Sequence, residues 1–570
     1  MTEDKHFSPE EKIAAIVGSL FILAGILFNE WMLTALLSPD GDISAHNRIV
    51  IWGYDILSIG LGVMVISYRK RIIRVLRGDY IALERFLLYS VFSGLVISFL
   101  LFLYVAYRLI TFGYPNATFD DWILYGAGRI ANGQPIYLDP STHHPLVDIY
   151  PPGLLIFLAP FVKFFGYSHH MAQLLIVLTA LADGALIYTL IKRRGGSALF
   201  SCLFALLFYS MYFTCTRQTL LIIAPSAFIL LFVLMILYLL TRWESEGRLW
   251  QFVLMVLIQG VAVYFKQTTV FYGLAVCVYL TLKGKWPAAL IYLGSSIVVV
   301  GGVFVVGNYS SKGMWLHYLV MIPQMAPFVF SKLRRLAAIL VRILPISIVL
   351  IFSIYYLYRR GWRDLILPEL VFLCILFPFA MMGFLRLGGG LNQFIESSAL
   401  VSVLLGIVTS LSVGRQDPWN GRIRTVVLLG VLAYGIMNLF LVRPIYPDRD
   451  AKNSGIQISS IIEERRPHKA IAHCFTSFIY KNTDAEFVNT GLGTNFYLTE
   501  VYDSNRIRQA AEKAEYDVIL LVHAWTPEFL QEALYRKYQL IGSYPYVPLI
   551  KQLDLYIRKE DGTILLENTP

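Results

Sequence analysis

Runs of about twenty apolar residues recur along this chain, and a run of that length is what a helix needs to cross about 30 Å of hydrocarbon. Thirteen spans are expected, at 13–37, 49–67, 86–110, 170–191, 196–213, 220–241, 249–265, 268–283, 286–307, 336–358, 365–384, 395–412 and 424–442. Only 15% of the 570 residues are charged, whereas roughly a quarter are in soluble domains. The fold class expected is therefore a polytopic α-helical membrane protein. A formal net charge of +10 raises nucleic acid as a partner. The basic residues fall instead in short clusters between apolar runs, where they set membrane orientation, so no nucleic acid is expected. The five cysteines are Cys202, Cys215, Cys277, Cys374 and Cys474. Four lie in or beside spans and one stands alone, which offers neither a disulfide framework nor a CxxC metal site.

The first span is too long for a signal peptide, and "SPEEK" opens it with a helix start at Ser8, Pro9 and Glu11; it reads as an anchor. With the N-terminus inside, the inner segments hold "YRKRIIRVLR", "KRR", "RWESEGR", "KGK", "RRGWR" and "GRIR", and the positive-inside rule is satisfied. The loop at 111–169 and everything after 443 then lie outside. The apolar stretch 150–167 is short and opens on two prolines; an outer interfacial or re-entrant helix suits it, because a full crossing would invert the later charge bias. Residues 444–570 are more charged and carry strand-like runs at 516–522 and 553–559 with helical stretches at 504–515 and 526–538. The expected organisation is a transmembrane domain over 1–443 and a small extracytoplasmic α/β domain over 444–570.

The outer loop is the polar exception. From Phe119 to Gly153 it reads "FDDWILYGAGRIANGQPIYLDPSTHHPLVDIYPPG", with Asp120 and Asp121 adjacent and tyrosines at Tyr125, Tyr137 and Tyr150. A solvated loop tip is the plain alternative. The order Asp121, Tyr125, Gly133, Tyr137 and Tyr150-Pro151-Pro152 nevertheless resembles the first outer loop of the C-type (GT-C) glycosyltransferases. "DWILY", "GQPIY", "YPPG", "FFGYSHHMAQ" and the span ending "KRRGG" are similar to glycosyltransferase family 39, which includes lipid A aminoarabinose transferases and protein O-mannosyltransferases, and to related bacterial mannosyltransferases. The resemblance is detailed over 85–240 and holds in outline elsewhere. Two departures stand out. The family often has Asp-Glu where this chain has Asp120-Asp121, and no acidic residue follows Arg217 in "TRQTLLIIAPS".

The resemblance implies a transferase that takes a sugar from a polyprenyl-phosphate carrier, in a bacterial inner membrane, with its active site on the extracytoplasmic face. Such a donor already carries a good leaving group, so the second carboxyl group that a glycosidase needs as acid is dispensable. What remains is a base for the acceptor hydroxyl and cations for the departing phosphate. Asp121 is the expected base, with Asp120 as the alternative, and a single displacement would invert the anomeric centre. Lys266, Arg386 and Arg217 are the expected phosphate ligands; each also reads as a snorkelling interfacial cation. Tyr125, Tyr137, Tyr150, Gln267, Asn392 and Glu396 are candidates for substrate contacts, and the last two equally suit a helix cap.

No cofactor is certain from the sequence. His143-His144 and His169-His170 raise a divalent metal, with Asp120, Asp139 or Asp148 as further ligands, although adjacent histidines point different ways. Asp183, within a span, is expected to be paired inside the bundle. The aromatic, amphipathic stretch 310–335 suits an interfacial segment lining the carrier lipid's entry or resting on headgroups. The acceptor is open between a lipid, a glycan and a protein. Two other classes of function compete. A transporter or flippase of lipid-linked sugars would show inverted repeats and mid-bilayer charges; no repeat is found. A non-catalytic subunit would leave Asp121 without a role.

Overall fold

The structure, a computed structural model, describes residues 80–115, 118–137, 150–216, 222–321, 327–359, 366–386, 390–411, 418–441, 449–472, 486–489, 504–523, 528–545 and 552–559, with a few single positions besides. The expected spans 13–37 and 49–67, His143, His144, Asp139, Asp148 and Arg217 lie outside the described residues.

Apolar runs become helices because lipid offers a backbone no hydrogen-bond partner, so each segment must satisfy its own groups. In chain order these are α1 (Tyr80–Phe112), α2 (Thr118–Ala131), α3 (Gly153–Phe165), α4 (His169–Arg193), α5 (Ala198–Thr216), α6 (Pro225–Glu246), α7 (Leu249–Phe265), α8 (Val270–Leu282), α9 (Trp286–Ser310), α10 (Lys332–Arg359), α11 (Leu367–Leu385), α12 (Ile395–Leu411) and α13 (Pro418–Leu441). Six of the described helices are long and apolar enough to cross a membrane, and α10, which bends at Val341–Ile343 near Pro345, makes a seventh. The segments at 249–265 and 268–283 form separate helices of 17 and 13 residues around a 3₁₀ turn at Gln267–Thr269, and neither reaches span length alone. The loop helix α3, 13 residues long, packs on α2.

The bundle centres on α12, whose Ala399, Leu400, Val403, Leu404 and Ile407 are fully buried against α5, α4 and α11. In contrast, α9 buries only Ala289, Tyr292 and Gly307 among its 25 residues, as suits a helix that faces lipid. Inside lipid the helices are held by close packing and small residues rather than by exclusion of water. Buried Glu369 of α11 meets Arg194, the last residue of "KRR", at 3.4 Å.

Beyond the helices lies a five-stranded sheet of order β2-β1-β3-β5-β4, built from β1 (Lys469–Ala472), β2 (Glu486–Asn489), β3 (Val518–Val522), β4 (Tyr538–Pro545) and β5 (Gln552–Arg558). β1 pairs in parallel with β2 and β3, while β5 runs antiparallel to β3 and β4. β3 is buried at every residue, as a strand covered on both faces must be. On one face α14 (Arg449–Arg465) sets Ile458 and Ile462 against Ala470, Val518, Leu520 and Leu555. On the other, α15 (Ser504–Glu512) and α16 (Glu528–Lys537) cover Ile471, Ile519 and Leu521.

Both faces continue into the helical bundle. Phe112 of α1 and Tyr125 of α2 belong to the core under α14, and Gly455 of α14 lets the Tyr114 ring come so close that a Cβ there would lie 2.8 Å from it. Tyr137, Trp315, Tyr318 and Leu319 belong to the core on the opposite face.

Within the sheet, Asp554 of β5 is 4% exposed and accepts hydrogen bonds from Ser543 at 2.6 Å and Gln552 at 3.1 Å, with His523 Nδ1 at 2.6 Å. Burial alone would raise its pKa, but these three partners prevail and hold it below the usual carboxylate range. Because the folded value is the lower one, the stabilisation is complete above about pH 4, the ordinary aspartate range, and fades as pH falls through the folded value. Thermal melts of the whole protein between neutral and acid pH should show this loss. Asp554→Asn should melt lower at neutral pH and lose that part of the acid sensitivity.

Candidate functional site

The first turn of α2 carries Asp120 and Asp121, both fully buried. Acidic residues suit this position, since a helix N-terminus favours negative charge. Consecutive helical residues point about 100° apart, so the two carboxylates meet different partners. Asp120 Oδ1 accepts the backbone N–H of Ile223 at 2.6 Å. Ile223 stands just before α6, whose start has no capping side chain of its own and opens on Pro225. A carboxylate from another helix thus satisfies a donor at the entry to α6. Asp121 Oδ1 faces His169 Nε2, the first residue of α4, at 3.5 Å.

The same end of α6 receives the cationic side of the site. Ser226 Oγ, in the first turn of α6, accepts a hydrogen bond from Asn392 Nδ2 at 2.8 Å. Next to Asn392, Gln393 Oε1 accepts from Lys266 Nζ at 3.0 Å. Lys266 is 3% exposed and sits where α7 ends, its carbonyl accepting from Thr269 Oγ1 at 2.9 Å. One turn beyond Gln393, Glu396 Oε1 accepts from Tyr272 at 3.0 Å, and Tyr272 also reaches the Ile229 carbonyl of α6 at 3.4 Å. Glu396 and Lys266 interact electrostatically, which offsets part of the desolvation cost of each. Ile223, Ser226 and Ile229 therefore join the acid pair to Lys266, Asn392 and Glu396 through one helix end.

The remaining expected residues fall around this core. Tyr125 is buried, and its hydroxyl accepts from Arg129 Nη1 at 3.0 Å while Arg129 Nε bonds the Pro135 carbonyl at 2.9 Å, which ties α2 to the turn that follows. Tyr137 donates to the Tyr150 carbonyl at 2.7 Å and packs its ring 5.6 Å from Trp315. Gln267 Nε2 donates to the Leu319 carbonyl at 3.3 Å. Arg386 stands over the Phe328 ring at 5.3 Å, and its carbonyl accepts from Lys332. Gly128 of α2 admits the Tyr167 ring, where a Cβ would lie 2.1 Å from the hydroxyl. Asp183, expected to be paired, is fully buried with no hydrogen bond to its carboxylate among the described residues. Its neighbours are Tyr209, Tyr212 and Glu396, which act on it electrostatically. Among the described residues no group of three metal ligands forms.

Sequence reasoning passed over Ile223, Ser226, Tyr272 and Gln393. Gln393 had a signal, since it and Glu396 are three apart and share a helix face; the backbone donor of Ile223 had none.

Residues 149–307 match the family model described as Dolichyl-phosphate-mannose-protein mannosyltransferase. That region runs from the end of the polar loop through α9 and includes Lys266, Gln267, Ser226 and Tyr272. The chain is similar in structure to ArnT from Cupriavidus metallidurans bound to undecaprenyl phosphate, with a TM-score of 0.51 at 10% identity, over 81% of this chain and 97% of that one. The fold is that of a C-type membrane glycosyltransferase. ArnT in its apo state gives a TM-score of 0.49 at 12% identity, over 81% of this chain and 98% of that one. No curated protein matches the chain. The acids of α2 precede the stretch that the family model matches.

The two acids should separate by stability. Asp120→Ala leaves the buried Ile223 N–H without this acceptor, a cost of about 1–3 kcal/mol. Its melting temperature should fall clearly below wild type, while Asp121→Asn should melt close to wild type; differential scanning fluorimetry of the purified proteins checks both.

Proposed function

We propose that the chain transfers a sugar from a polyprenyl-phosphate carrier to an acceptor hydroxyl on the extracytoplasmic side of a bacterial inner membrane, with Asp121 as general base. The observation that carries this reading is the convergence on one helix end of a buried acid pair and a buried cation, Lys266. The C-type fold and the match over 149–307 support it. The undecaprenyl phosphate bound to the relative is the chemical class we take for the donor.

The division of labour follows from the partners. Asp120 supports the entry to α6 through Ile223, which makes it the poorer base. Asp121 takes the proton as the acceptor oxygen bonds to the anomeric carbon. The bond from that carbon to the phosphate oxygen breaks, and the polyprenyl phosphate departs with the electron pair and one more negative charge. Lys266 has three N–H donors, of which Gln393 engages one; the other two meet the developing charge. The displacement inverts the anomeric centre. Arg386 and Arg217 assist at the phosphate, and Tyr125, Tyr137, Tyr150, Gln267, Asn392 and Glu396 shape the substrate cavity. We assign the whole protein thirteen spans, with 444–570 as an outer α/β domain that helps choose a lipid, glycan or protein acceptor. The sugar transferred is a hexose or a pentose.

The test is transfer in proteoliposomes from a panel of radiolabelled polyprenyl-phosphate sugars, with envelope lipid as acceptor. Wild type should transfer; Asp121→Asn should lose about 10²–10⁴ in rate while binding donor normally. Lys266→Met should lose about 10²–10³. If wild type and both variants bind donor and none transfers, yet all carry it across the bilayer, the chain is a flippase.

A further inference from the structure

Asp121 has a neighbour that packing does not account for. His169 is 2% exposed, and its Nε2 lies 3.5 Å from Asp121 Oδ1 without forming a hydrogen bond to any described residue. A charge-assisted bond closes to about 2.7–2.9 Å. The outer sheet shows such closure: His523 Nδ1 lies 2.6 Å from Asp554, with its ring 64% exposed. There the imidazole completes the shell of a buried carboxylate. At Asp121 both groups are buried and stand apart.

Neither side of the pair is loosely held. Ser168 caps α4 by accepting the Met171 N–H at 3.3 Å, and His170 Nδ1 bonds the Ile110 carbonyl of α1, so the backbone on both sides of His169 is fixed. On α2, the bond from Asp120 to Ile223 sets the turn that carries Asp121.

We propose that His169 is a positioning and proton-relay residue acting through Asp121, an inference that rests on the transferase reading above. Asp121 takes the acceptor's hydroxyl proton as the new glycosidic bond forms and the bond to phosphate breaks. The proton then passes from Asp121 Oδ1 to His169 Nε2, which restores the carboxylate, and the imidazolium yields it to water before the next turnover. No further reactant is consumed. The gap closes with a small side-chain rotation, as catalytic hydrogen bonds commonly do when substrate binds. The other ionisable groups on the elements around this end of α4 are Asp120 on α2, Arg108 on α1, Lys163 on α3, Glu396 on α12 and the adjoining His170.

Two measurements on the full-length protein test this. The first is the ring-nitrogen chemical shift of ¹⁵N-histidine-labelled protein, with His169 assigned by its disappearance in His169→Gln. Asp121→Asn should move the His169 signal and leave that of His523 in place. The second is transfer kinetics. His169→Gln should lower kcat about 10- to 100-fold at unchanged donor KM, and the acid limb of the kcat–pH profile should shift or vanish. His169→Asn repeats the comparison if the glutamine variant folds poorly. An unmoved His169 signal, or a glutamine variant with wild-type kcat and pH profile, overturns the relay. If wild type transfers no sugar while the signal still responds to Asp121→Asn, the transferase reading fails and takes the relay with it, leaving a purely structural pair.

Discussion

An ionised group taken out of water must find partners or it destabilises the fold by several kcal/mol. The arrangement around α6 follows from that constraint. Asp120, Asp121 and Lys266 are all at most 3% exposed. Asp120 and Lys266 find partners at, or linked to, the start of α6, while Asp121 faces His169 of α4. Ile223 offers a backbone donor to Asp120, Ser226 holds Asn392, and Asn392 places Gln393 under Lys266. A helix N-terminus is suited to this because its unsatisfied donors meet carboxylates readily. Asp120 and Lys266 thus share the start of α6 as a common support.

The acid-bearing helix has its second support outside the bundle. Tyr125 of α2 and Phe112 of α1 complete the core beneath α14, and Tyr137 joins the core on the far side of the sheet through Trp315 and Tyr318. The loop is thus gripped at its start and near its middle by the two faces of one sheet. Burial of apolar area contributes about 25 cal/mol per Å², and aromatic rings bury the most per residue. Tyrosines in a polar outer loop therefore serve position as well as any substrate.

Much of this was legible in the sequence and some was not, for identifiable reasons. Apolar length located α1, α4, α6, α9, α11 and α12, since a lipid solvent leaves no other structure for such a run. The strand-like runs at 516–522 and 553–559 located β3 and β5. The edge strand β2 and the helix α14 were missed: β2 is four residues long, and α14 is polar over most of its 17 residues, its isoleucines Ile456, Ile458, Ile461 and Ile462 crowded into its second half. At the site, residue types singled out Asp120, Asp121 and Lys266, which the fold buries. The partners did not announce themselves, because a backbone N–H such as that of Ile223 carries no residue signature. Glu369 and Arg194, 175 positions apart, likewise meet only through folding.

The chain order of these supports has a consequence for biogenesis. α2 leaves the ribosome early, whereas α14 and the sheet that back it lie after α13, the last of the described membrane helices. Insertion of the helices can therefore run to completion while Tyr114 and Tyr125 still lack their cover, and the acid pair gains its final support only once the C-terminal segment has folded. A chain stalled after α13 would hold every described membrane helix and still leave the acid-bearing helix α2 without that cover, so the support of the acid pair is completed only by the last part of the chain to be made.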